Sequence, residues 1–200
     1  MSISEWLIFV GFWTVFVTSP GPNAVNCILT AWSAGFRSAL WCVAAILCQA
    51  VLFLTLAASG VAALLVAAPQ ALGALKVAGA LVLIGLGVRA WLTAGAPVSR
   101  EVPPARGIFV RAFAIATLNA KSVAGYLAAF TQFVATDVPI WSQMGVIVPT
   151  ALTLTALSYT GWCGLGAWLG QRAMGVVAST VLRRVLAGCF IAYGVALLML

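Results

Sequence analysis

The chain has 200 residues, 64% of them hydrophobic and 6% charged, with a mean hydropathy of +1.16 and a net charge of +7. A soluble domain carries about a quarter charged residues, so ten basic and three acidic side chains cannot clothe a water-soluble surface of this size. The complete absence of histidine removes the usual zinc sites and the serine–histidine or cysteine–histidine nucleophile systems, and no metal or cofactor is expected.

The bases form no stripe interleaved with aromatics, so nucleic acid is not expected as a partner; the lipid bilayer is. Crossing its hydrocarbon core takes about 20 apolar residues. Six runs of that kind follow one another, at 6–32, 39–66, 71–94, 108–135, 140–168 and 181–200. Glu5 sits where a signal peptide would be positive, and the run from Trp6 contains no small-residue cleavage site. The first run is therefore expected to stay as a span.

That first run contains "FVTSPGPNAVNCI", from Phe16 to Ile28. A proline inside a helix removes a donor and clashes with the preceding turn, at about 3 kcal/mol. Pro20, Gly21 and Pro22 therefore predict a broken first helix, with a new half-helix starting near Asn23. Irregular backbone at membrane depth is tolerated only where protein or a watery cavity surrounds it. The freed carbonyls could accept from an ammonium, and the positive end of the second half-helix could hold a carboxylate.

Joints between the runs are short, such as Ala68–Gln70 and Thr136–Pro139; the longest spans Thr93–Gly107. None holds a second domain, so residues 1–200 read as one membrane domain. Arg37, Arg89, Arg100, Arg106, Arg111, Arg172, Arg183 and Arg184 follow odd-numbered runs, against Lys76 alone on the other side. This asymmetry predicts cytoplasmic odd joints and both termini outside. Gly161, Gly164, Gly166 and Gly170, and Gly73, Gly79, Gly85 and Gly87 in the third run, mark expected close helix contacts. The cysteines (Cys27, Cys42, Cys48, Cys163 and Cys189) lie in apolar runs without C-x-x-C spacing and read as packing residues.

The fourth run holds Lys121, in "ATLNAKSVAGY", about thirteen residues from its start. A lysine at the centre of a span costs about 2.5–3.5 kcal/mol on insertion scales, and no acid lies in a span interior to pair with it. Asn119–Lys121 follows the Pro20–Asn23 break by about half the chain. Three spans per half is an odd number, so the second half would enter from the opposite face. That arithmetic predicts an all-α protein of six transmembrane helices in two inverted three-helix repeats, about 1–95 and 106–200, joined in the cytoplasm at about 95–107.

"TSPGPNAV", "AGFRSAL" (Ala34–Leu40) and "LNAKSVAGYLAAF" together resemble the LysE/RhtB family of amino-acid exporters, and the resemblance extends over the whole six-span layout. In motif form the chain is most similar to the cysteine/O-acetylserine exporter branch. Ala120 replaces the proline of the family's N-P-K element, and Asn23 stands where many members have aspartate. Whether the fourth helix also breaks is open at this point. The resemblance implies proton-gradient-driven efflux across the bacterial inner membrane, both termini being periplasmic. A small neutral amino acid, such as cysteine/O-acetylserine or homoserine/threonine, suits spans without an acid to meet a cationic side chain. Substrate-binding residues would be Pro20, Gly21, Pro22, Asn23, Asn119 and Lys121, with homo-oligomerisation left open. A passive channel, a carrier of another solute or ion and an accessory subunit are the competing classes. An enzyme is disfavoured, since Ser122, Ser158 and Tyr159 have no base or metal beside them.

Overall fold

The computed structural model describes residues 2–59, 104–134 and 138–172 continuously, with scattered positions between 77 and 95 and between 180 and 198. The continuous stretches form six helices and no strand. Helix α1 (Ile3–Thr18) begins with a capping box: Ser2 Oγ accepts the Glu5 N–H at 3.3 Å and Glu5 Oε2 accepts the Ser2 N–H at 2.7 Å. Helix α2 (Pro22–Ala34) starts on Pro22, where a missing N–H costs nothing. Gly35 turns the chain into α3 (Phe36–Ala58) at φ +84° and ψ 164°, a region open essentially to glycine. Helices α4 (Ala105–Leu118), α5 (Ala120–Phe133) and α6 (Ile140–Arg172) follow.

Two of these, α3 and the Ile140–Gly170 part of α6, are each long and apolar enough to cross a membrane. Two further spans result if each bent pair is counted as one: α1 with α2, bent by 55°, and α4 with α5, bent by 60°. These four correspond to the runs at 6–32, 39–66, 108–135 and 140–168; most boundaries move by two or three residues, but α3 stops at Ala58, well short of 66. The runs at 71–94 and 181–200, with Gly73 and Gly79, fall largely outside the described residues. They do touch where described: a Cβ on Gly87 would lie 2.6 Å from Ile191 Cγ1 and 2.9 Å from the Ala187 carbonyl.

Helix α6 is the spine against which α1, α2 and α3 pack, and α3 also packs along α4. Gly166 and Gly170 do what G-x-x-x-G spacing predicts. A Cβ on Gly166 would meet Ile28 O at 2.5 Å and Ile28 Cα at 2.8 Å, and one on Gly170 would meet Trp32 O at 3.2 Å. At Gly161, Gly164 and Gly85 no atom of the described residues lies within 4 Å of a Cβ, so no close contact is seen there. Spacing names the pair but not the helix face. Trp13 ties α1 to α6 by donating from Nε1 to Ala151 O and Thr155 Oγ1, both at 3.1 Å. Cys27, Cys42 and Cys163 are buried free thiols, as packing residues should be, whereas Cys48 is exposed on α3.

Candidate functional site

The first helix break frees backbone carbonyls, and the structure shows what takes them. In an unbroken helix the carbonyls of Phe16, Val17 and Ser19 would accept from residues 20, 21 and 23. Instead, Ser19 Oγ donates to Phe16 O at 3.0 Å. Ser158 Oγ, reaching across from α6, donates to Val17 O at 2.9 Å. Lys121 Nζ donates to Ser19 O at 2.6 Å.

The last bond joins residues 102 positions apart and brings the two sequence anomalies into one place. Lys121 thus finds a dipole rather than an acid. Its ammonium also lies over the Phe16 ring, 5.5 Å from the centroid, a cation–π contact on the same stretch of α1. A Cβ on Gly125, one turn along α5, would overlap that ring, so glycine there lets Phe16 sit against the helix. The lysine stem borders an open, apolar groove of about 580 Å³ between Gly11–Phe16 of α1 and Lys121–Ala128 of α5.

The fourth span breaks as well, although Ala120 is not proline. Asn119 adopts an extended backbone, φ −75° and ψ 110°, and its side chain accepts the Lys121 N–H at 3.1 Å. An asparagine capping a new helix N-terminus achieves what proline would force, because its side-chain oxygen replaces a lost backbone acceptor. Gly21, the N-cap of α2, has no side chain with which to cap that N-terminus. Asn119 and Asn23 are both buried, and Asn23 Oδ1 has no hydrogen-bond partner among the described residues. Of the six expected site residues, Lys121 and Asn119 are thereby linked to the Pro20–Pro22 break, while Asn23 stands buried on the first turn of α2.

Several polar groups had escaped the sequence reading. Arg111 lies two turns into α4 rather than in a joint, and its Nη2 donates to Thr30 Oγ1 at 2.8 Å. Thr30 donates to Asn26 O at 2.8 Å and receives the Cys42 thiol at 3.5 Å, binding α4, α2 and α3 together. Gln49 on α3 is 1% exposed, and its Nε2 has no partner among the described residues; the same holds for Thr117 Oγ1 on α4. A lone amide inside "AAILCQAVLF" was the available signal for Gln49.

Two bent helix pairs, with a half-buried lysine joining their breaks, and long apolar helices beside them fit a multi-pass membrane protein. Over residues 14–200 the sequence matches the LysE type translocator family, and the chain belongs to it. It is 30% identical over 176 residues to an uncharacterized membrane protein of Vibrio cholerae, covering 86% of this chain and 85% of that one. It is 28% identical over 176 residues to the homoserine/homoserine lactone efflux proteins of Salmonella typhimurium and Salmonella typhi, covering 84% of this chain and 85% of each. No solved structure matches it.

Proposed function

We propose that this translocator is a secondary active exporter of a small neutral amino acid across the bacterial inner membrane, with its substrate site where the two broken helices meet. The observation that carries this reading is the 2.6 Å bond from Lys121 Nζ to Ser19 O. Ser19 precedes the start of α2 at Pro22 by only a few residues, so a substrate carboxylate bound there would meet the helix dipole and an ammonium together. Pro20, Gly21 and Pro22 hold the break open, Asn119 fixes the start of α5, and Asn23, on the first turn of α2, lies beside the substrate.

The names of the Salmonella relatives favour homoserine-like substrates over cysteine. Neither a histidine nor an acid in a span interior is available, so proton coupling would run through Lys121 or the substrate's own amino group. The six-span, inverted-repeat layout with both termini periplasmic belongs to the same proposal. Its support is the pair of bends, 55° and 60°, and the one-sided distribution of arginines. A reporter enzyme active only in the periplasm, fused after Leu200, should be active; a silent fusion on well-inserted protein contradicts that orientation.

Purified protein in liposomes should show saturable counterflow of labelled homoserine against unlabelled small amino acids. Flux that does not saturate points to a channel, and absence of flux for every amino acid contradicts the proposal.

A further inference from the structure

Two buried amide atoms lack partners among the described residues, and helix periodicity sets them at matching steps along α2 and α3. Cys42 on α3 donates to Thr30 on α2 at 3.5 Å, and the helices fold back on each other across Gly35. Seven residues make about two turns, or about 10 Å of helix. One such step away from the turn leads from Thr30 to Asn23 on the same face of α2. The same step on α3 leads from Cys42 to Gln49. Asn23 Oδ1, an acceptor, and Gln49 Nε2, a donor, therefore share a level on facing helices, yet neither has a partner among the described residues. Asn23 is 4% exposed and Gln49 1%. A buried amide atom left unpaired is costly, and this pair is complementary in sign.

We infer that Asn23 and Gln49 form the side-chain subsite of the transporter and take a substrate hydroxyl, which donates to Asn23 Oδ1 and accepts from Gln49 Nε2. The inference rests on the proposed transport function and adds Gln49 as a specificity-determining residue. A hydroxyl supplies one donor and two acceptors, so it satisfies both amides at once. A methyl group in its place satisfies neither, and a site built for hydrogen bonds rejects such an isostere strongly. A thiol is weak both as donor and as acceptor, so a hydroxyl amino acid is preferred to cysteine. The amino and carboxyl groups remain with the helix break, one turn or less from Asn23.

The test compares homoserine with norvaline, its analogue with methyl for hydroxyl, as competitors of labelled homoserine counterflow in liposomes. Wild-type protein should be inhibited by homoserine at concentrations at least tenfold below those of norvaline. In Gln49→Met that ratio should shrink to about threefold or less, and the melting temperature of the ligand-free protein in detergent should rise, because an unpaired buried donor has gone. Gln49→Leu should repeat both results if the methionine variant is not monodisperse. An unchanged competitor ratio in variants that still exchange amino acids overturns the inference while leaving the transport function standing. Equal loss of both substrates from folded protein also overturns it, since a specificity contact acts on one and not the other. If wild-type protein exchanges no amino acid at all, the parent reading falls and takes this one with it.

Discussion

Lys121 shows how one expensive residue can be retained in a membrane helix. Its charge at depth costs about 2.5–3.5 kcal/mol, and the bond to Ser19 O together with the Phe16 ring offsets part of that. The Ser19 carbonyl is free to accept only because the first helix stops. Replacing Lys121 with methionine keeps most of the volume, removes the charge and leaves Ser19 O unpaired. Insertion should be unharmed, while amino-acid counterflow should fall at least tenfold. Lys121→Arg keeps the charge and the donors in a different shape and should retain part of the exchange. Full counterflow by the methionine variant, at equal abundance in proteoliposomes, would leave Lys121 a purely structural residue. The sequence showed that this lysine was out of place but not what it touches. Its acceptor is a main-chain carbonyl, and the availability of a carbonyl is a property of backbone geometry, not of residue type.

At the scale of elements, breaks and crossings were legible to different degrees. Pro20 and Pro22 announced the first break because proline acts on its own backbone. The second was ambiguous once Ala120 stood in the proline position, and Asn119 made it by capping instead. The α2–α6 crossing was half legible: G-x-x-x-G spacing picked out Gly166 and Gly170, but neighbouring Gly161 faces no close atom among the described residues. This contrast gives a prediction. Gly166→Leu would drive a side chain into the backbone of Ile28, which cannot yield as a flexible side chain would. It should destabilise the protein by about 1–3 kcal/mol or more, read as a lower melting temperature in detergent. Gly161→Ala, with open space and a better helix former, should be neutral or raise stability by about 0.5–1 kcal/mol. Equal effects of the two changes would mean that α2 and α6 do not cross at Gly166.

For the molecule as a whole, composition alone dictated lipid as the solvent, and the described helices agree in two of the predicted runs, or four if each bent pair is one span. The polar interior was less accessible from sequence. Asn26, Thr30, Cys42 and Arg111 are scattered over more than eighty positions, and only the packing of α2, α3 and α4 brings them into one network. Gln49 belongs to the same class of residue, one whose meaning depends on the level at which facing helices meet. The proposed site depends on one whole-molecule feature, the meeting of two bent helix pairs from opposite halves of the chain.

Counterflow by the Pro20→Ala, Pro22→Ala double variant tests that feature most directly. Alanines restore the missing donors, favour a continuous helix and withdraw the carbonyls of Phe16 and Ser19 from Ser19 Oγ and Lys121. The protein should still insert, and should lose saturable homoserine exchange by at least tenfold relative to wild type in the same liposomes. Wild-type exchange by this variant, at equal reconstitution, would contradict a substrate site built on the broken first helix.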